Sequence, residues 1–164
     1  MRDAELKHAA EKLGAMLLER GWSVTTAESC TGGWIAKVLT DVAGSSQWFM
    51  RGFVTYSNEA KVDMIGVPEA VLAEHGAVSE AVVEAMANGA ASQAGAELAV
   101  AVSGIAGPGG DVPGKPVGTV WVAWRSPART QTHEFRFDGD RESVRRQSVA
   151  AALEGLIRAV RTSG

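Results

Sequence analysis

The sequence predicts an α/β fold, a mixed sheet sandwiched between helices, and three observations carry that reading. Helix-like and strand-like segments alternate through the early part of the chain. Leu98–Ser103 is almost wholly apolar, as a strand covered on both faces must be. Two strand-like segments near the end are joined only through Ser126-Pro127-Ala128, as in an antiparallel pair.

The elements follow in order. Leu6, Ala9, Ala10, Leu13, Met16 and Leu17 recur at helical spacing, and Gly21 closes that helix. Trp22 to Ala27, rich in β-branched residues, reads as the first strand. A helix starts at the Thr31-Gly32-Gly33 turn with Ile35, Val38 and Leu39 on one face, and Phe53 to Tyr56 reads as a second strand. Asn58 is expected to cap a short helix that stops at Gly66, and Pro68 to Glu74 forms another. Ser79 opens a long alanine-rich helix to about Ala94. After the apolar strand comes a glycine- and proline-rich loop, Gly104 to Pro116, then the pair Val117 to Trp124 and Thr130 to Phe137. Asp140 is placed to cap the last helix, with Val149, Ala152, Leu153, Leu156, Ile157 and Val160 inward. No repeat or linker interrupts the 164 residues, and one domain over 1–164 is expected.

The chain is 46% hydrophobic and 21% charged, with a formal charge of −3. That balance argues against nucleic-acid or membrane-surface partners, which need a basic face. Cys30 is the single cysteine, so disulfide frameworks and paired-cysteine zinc patterns are excluded. The charged, periodic amino terminus is unlike a secretory signal, and no apolar run approaches the ~20 residues of a membrane span; a cytoplasmic protein is expected. His8, His75 and His133 are far apart and no carboxylate cluster stands out, so the chain reads as metal-free and without a cofactor. Five tryptophans are more than core packing obviously needs; Trp34, Trp48, Trp121 or Trp124 at a subunit interface, or stacked on a ring, fits that excess. A homo-oligomer is expected on that ground.

Hydroxyl groups and one lysine carry the chemical signal. Ser29 to Gly33 presents N–H groups at a helix start, suited to an anion or a substrate; the plainer reading is that Ser29 or Thr31 caps the helix and Gly32 and Gly33 permit close packing. Cys30 lies in the same turn, yet no histidine neighbours it in sequence to act as base. Lys61 falls near the amino end of a helix, where the dipole and any burial disfavour an ammonium; most lysines simply point into water. Ser46 in a Gly-Ser-Ser turn and Tyr56 on a strand gain interest only if they converge on Lys61, because serine or tyrosine hydroxyls beside a neutral amine can cleave an amide. Ser103, Gly104 and Gly107 follow the most buried strand, where open α/β sheets collect ligands. Arg141, Arg145 and Arg146 flank the start of the last helix; one of them could meet a phosphate, though the plainer reading of any one is a solvated surface arginine.

Several segments, taken together and in order, resemble the CinA C-terminal domain family: Thr26-Ala27-Glu28-Ser29-Cys30-Thr31-Gly32-Gly33, Gly44-Ser45-Ser46, Gly52 to Lys61, Gly76-Ala77-Val78-Ser79, Ser103 to Pro108, Lys115 to Val120 and Gly139-Asp140-Arg141. The resemblance spans nearly the whole chain. It implies a three-layer α/β/α sandwich with a mixed, mostly parallel sheet. It also implies hydrolysis of nicotinamide mononucleotide to nicotinic acid mononucleotide and ammonia, in pyridine-nucleotide recycling. Ser29, Ser46, Tyr56 and Lys61 fall on the family's active-site motifs, and Thr31, Ser103 and an arginine near Arg145 on its substrate-contacting ones.

On this reading Ser46 attacks the carboxamide carbon, and Lys61 takes its proton directly or through Tyr56. The Ser29–Gly33 N–H groups then meet the oxyanion. Two variants stay open: Ser29 as nucleophile with Ser46 as shuttle, and Lys61 activating water directly. A different class, a nucleotide-binding module without catalysis, needs the glycine loops but not the lysine.

Overall fold

The computed structural model describes residues 1–163. Its core is a five-stranded sheet in the order β2-β1-β3-β4-β5, built from β1 (Val24–Glu28), β2 (Phe53–Val54), β3 (Leu98–Gly104), β4 (Thr119–Arg125) and β5 (Thr130–Arg136). β1 runs parallel to β2 and β3, while β3/β4 and β4/β5 are antiparallel. The sheet is therefore mixed, as expected, but its pairings divide evenly instead of being mostly parallel. The late hairpin contributes both antiparallel pairs.

Strand alternation sorts the side chains onto two faces. On one face Val24, Leu98, Val100, Val102, Val120, Val122 and Trp124 pack against α1 (Asp3–Arg20), α2 (Trp34–Thr40) and α6 (Arg141–Thr162). On the other, α3 (Asn58–Ile65), α4 (Glu69–His75) and α5 (Glu80–Ala94) cover Ala27, Ala101 and Ala123. Those three alanines are in register across neighbouring strands, and the small row lets alanine-rich α5 lie close. Among the described residues no helix is long and apolar enough to cross a membrane.

Helix ends follow the local chemistry. Gly21, Gly66 and Gly95 close α1, α3 and α5 in the left-handed conformation. Ser79 and Asp140 accept the N–H of Val82 and Ser143 and so cap α5 and α6. One cap differs from expectation: Ser57, not Asn58, caps α3 through the Ala60 N–H, 3.0 Å away. Lys61 thus becomes the fourth residue of α3, one step further from the dipole's positive end. β2 keeps only two residues of the expected Phe53–Tyr56 strand: the Thr55 N–H still bonds the Glu28 carbonyl at 2.8 Å, and the chain then turns away into α3.

The tryptophans are packed within the chain. Trp48 and Trp124 are buried, each against a glycine: a Cβ on Gly14 would stand 2.7 Å from Trp48 Cζ2, and one on Gly155 would overlap the Trp124 indole. Trp121 packs on the α5 side, and Trp34 lies beneath the guanidinium groups of Arg145 and Arg146. None of them lines the cavity described below.

Candidate active site

The carboxyl ends of β1, β2 and β3 meet at one edge of the sheet. β1 leads into α2 on one face and β2 into α3 on the other, which opens a crevice where α/β proteins place ligands. The crevice is a cavity of about 360 Å³, within the range of small-molecule sites. Ser29, Cys30, Tyr56, Asn58 and Lys61 line one side; Ser103 to Gly107 and Arg141 line the other.

Lys61 and Ile65 are the buried residues of α3, four apart on its inward face. The lysine occupies a position where the helix would otherwise carry an apolar side chain, and it is 1% exposed. Its Nζ is 3.1 Å from Ser29 Oγ, 2.9 Å from the Thr55 carbonyl and 3.3 Å from the Tyr56 carbonyl. None of these partners is a carboxylate. Burial holds its pKa below the ordinary lysine value. A neutral amine has two N–H bonds and one lone pair. As an ammonium, Nζ donates to Ser29 Oγ and to both carbonyls; once deprotonated, with its two hydrogens on the carbonyls, it would turn its lone pair to the Ser29 hydroxyl.

Ser29 follows the last residue of β1, and pleating turns Glu28 and Ser29 to opposite faces. Ser29 points towards α3, where its Oγ also lies 3.3 Å from the Tyr56 carbonyl. Glu28 points towards α2 and is fully buried. Its Oε1 accepts the Thr31 hydroxyl at 2.7 Å and the Ile35 N–H at 2.8 Å, and its Oε2 accepts the Ala36 N–H at 3.0 Å. The anion at the amino end of α2 is therefore the chain's own Glu28, although burial raises its pKa. Above it, the N–H groups of Cys30 and Thr31 donate to no carbonyl among the described residues. The Cys30 thiol is pushed up to about 11 by burial, which keeps it protonated and unreactive at neutral pH.

Four sequence expectations change place. Ser46 is exposed on the 3-10 turn Ser45–Gln47 and lies outside the cavity. The Val24 N–H bonds the Trp48 carbonyl, so this turn sits at the start of β1 while Ser29 sits at its end. About five residues of strand, roughly 16 Å, separate the two. Thr31, Gly32 and Gly33 border a separate shallow hollow with Trp34, Lys37 and Arg145; the Thr31 hydroxyl is occupied by Glu28, and the glycines supply φ of +60° and +101° for the turn. Arg145 is held by the carbonyls of Cys30 and Thr31, at 3.0 and 3.2 Å, and braces the turn from behind. Tyr56 joins Lys61 through its carbonyl, while its hydroxyl accepts from Arg141 Nη2 at 3.2 Å.

Ser103, Gly104 and Gly107 do form the far wall. Ser103 is 1% exposed with its side chain at the cavity. A Cβ on Gly104 would stand 2.6 Å from Val120 Cγ2, so glycine lets this loop fold back over β4. The residue that residue-by-residue reading did not single out from its neighbours is Arg141. Its Nη1 donates to the Gly107 carbonyl at 2.7 Å, and it stands at the mouth as the second basic side chain lining the cavity, beside Lys61. The signal was its place next to the Asp140 cap, where a helix start faces the sheet edge. Asn58, the first residue of α3, also lines the mouth. Among the described residues no three His, Cys, Asp or Glu side chains gather as a metal site would.

The chain is thus a mixed α/β sandwich with a buried serine–lysine contact at the strand ends. Residues 6–160 match the family model described as the CinA C-terminal domain, and the chain is a member of that family. It is 60% identical over 158 residues to the nicotinamide-nucleotide amidohydrolase PncC of Escherichia coli strain K12, covering 95% of each chain. It is 57% identical over 148 residues to the protein of that name from Pseudomonas putida, covering 90% of this chain and 92% of that one. The solved structure of the competence/damage inducible protein CihA from Agrobacterium tumefaciens aligns with a TM-score of 0.93 at 44% identity, over 99% of this chain and 98% of that one.

Proposed function

We propose that this chain hydrolyses the carboxamide of nicotinamide mononucleotide, giving nicotinic acid mononucleotide and ammonia, with Ser29 as nucleophile and Lys61 as base. The observation that carries the chemistry is the 3.1 Å contact between a buried, carboxylate-free lysine amine and a serine hydroxyl. The names of the 60% and 57% identical relatives support the substrate.

The steps balance on this chain's own groups. Ser29 Oγ bonds to the carboxamide carbon as its proton passes to Lys61 Nζ. The carbonyl π pair moves to oxygen, and the unpartnered N–H groups of Cys30 and Thr31 are the donors nearest in sequence to meet that charge. Collapse breaks the C–N bond, and the Lys61 proton goes to the leaving nitrogen as ammonia departs. Water then adds to the acyl ester with Lys61 again taking a proton. That proton returns to Ser29 Oγ as the acid leaves. Ser46 has no part in this scheme, and Tyr56 contributes a carbonyl to the amine.

Arg141 takes the phosphate. Its guanidinium is the cation at the mouth, and planar two-point recognition of phosphate suits arginine. The exposed apolar side chains Met50, Val54 and Tyr56 around the β2 edge support a homo-oligomer, and a monomer by light scattering would overturn that.

The deciding experiment incubates the chain with nicotinamide mononucleotide and measures ammonia. Release by the wild type and none by Ser29→Ala is expected. Binding without ammonia returns the chain to the class of nucleotide-binding modules.

A further inference from the structure

We infer that Glu28 is a positioning residue for the Ser29 nucleophile: its carboxylate ties the turn that carries Ser29 to the first N–H groups of α2. The inference rests on Ser29 being the nucleophile. Glu28 touches no part of the cavity, so it is not itself a catalytic residue.

The argument is geometric. Ser29 is the first residue beyond β1, and the chain turns through Cys30 to Gly33 before α2 begins. Within the turn the Gly32 N–H bonds the Ser29 carbonyl at 3.0 Å and the Trp34 N–H bonds the Thr31 carbonyl at 3.1 Å. From outside, the Ser29 N–H bonds the Val102 carbonyl at 3.0 Å and Arg145 holds the Cys30 and Thr31 carbonyls, but none of these reaches the Ile35 and Ala36 N–H groups of α2. Glu28 closes it from below. One oxygen holds Thr31, inside the turn, and Ile35, inside the helix; the other holds Ala36. The strand end, the turn and the helix start are thereby fixed to one buried group. The turn presents Ser29 Oγ to Lys61, and both Ser29 and Cys30 line the cavity. Freed of Glu28, the turn can shift while the far wall and Arg141 stay where they are. The cost falls on the reacting geometry and not on substrate affinity.

The test compares Glu28→Ala, Glu28→Gln and Thr31→Val in the full chain, with kcat taken per folded molecule and melting followed separately. Glu28→Ala is expected to lose about 100-fold in kcat with KM within about threefold, the scale of a misplacement near 1 Å. Glu28→Gln restores part of that loss: its carbonyl oxygen reproduces the paired contact to Thr31 and Ile35, while its NH₂ faces the Ala36 N–H. Thr31→Val, which removes one arm, loses less than Glu28→Ala. Labelling of Ser29 by a fluorophosphonate slows in the same order. The acid limb of the pH profile stays in place because Lys61 is untouched.

Unchanged kcat per folded molecule in Glu28→Gln and Thr31→Val overturns the inference even if Glu28→Ala fails to fold. So does a rise in KM at constant kcat. Turnover retained by Ser29→Ala sinks the nucleophile itself. An inactive Ser29→Ala with fully active Glu28 variants sinks only this inference.

Discussion

Lys61 Nζ lies 3.1 Å from Ser29 Oγ, and the amine's other two hydrogen-bond partners are the carbonyls of Thr55 and Tyr56. A lysine placed this way costs the fold something, because its charged form is buried without an acid. Lys61→Met, which keeps the stem and drops the amine, is expected to abolish ammonia release by about 100- to 10,000-fold, the usual share of a general base. It is also expected to melt at a higher temperature than the wild type at neutral pH. Calorimetry beside an ammonia assay checks both, and a variant that is less stable and still active contradicts the assignment.

The pH dependence has a definite sign. Burial lowers the Lys61 pKa, so kcat/KM rises with pH through that lowered value as the amine loses its proton. Stability moves the same way. The unfolded chain binds the Lys61 proton more tightly, so this group's penalty is full below the folded pKa and fades as pH rises towards the ordinary lysine value. The stability gap between Lys61→Met and wild type therefore closes on the alkaline side. A gap that widens with pH contradicts the lowered pKa.

Ser29 and Ser46 separate cleanly. Ser29→Ala is expected to lose turnover, while Ser46→Ala, altered on an exposed turn at the far end of β1, keeps kcat within about twofold, as for surface substitutions away from special features. Mass spectrometry of a quenched reaction is expected to find the acyl group on the peptide that carries Ser29. An adduct on Ser46 reverses the assignment.

Arg141 and Arg145 divide their tasks in the same way. Arg141→Ala is expected to raise KM for the mononucleotide by about 10- to 150-fold, equivalent to the 1.5–3 kcal/mol of a hydrogen bond to a charged group. The same change leaves the phosphate-free riboside nearly unaffected. Arg145→Ala, which removes the brace on the Cys30 and Thr31 carbonyls, is expected to lower melting and kcat for both substrates alike. Steady-state kinetics on the two substrates reads the difference, and equal losses in Arg141→Ala remove the phosphate role.

Much of this was legible in the sequence because local chemistry decided it. Gly21 and Gly66 ended helices that apolar spacing had begun, and Ser79 and Asp140 capped where they were expected to. Ser29 and Lys61 were both singled out, the serine by its glycine turn at a helix start and the lysine by its place near the amino end of a short helix. What was hidden depends on distances the chain order does not carry. Ser46 looked close to Ser29 in sequence, yet β1 runs its length between them. Arg141 and Arg145 share a helix face, and only the height of α6 against the sheet edge decides which one reaches the cavity. Glu28 sits on a strand covered on both faces, where alternation leaves no polar trace to show which way it turns.

The cavity draws its parts from both layers that flank the sheet. The reactive amine comes from α3 on one side, and the guanidinium at the mouth comes from α6 on the other. On the proposed reading, bond cleavage and ligand selection thus draw on helices from opposite faces of one sheet, which meet at the rim where Arg141 bonds the Tyr56 hydroxyl. Refitting the α6 contribution for an uncharged or differently charged amide leaves the opposite bank intact, so this scaffold is open to changes of diet without the loss of its cutting edge.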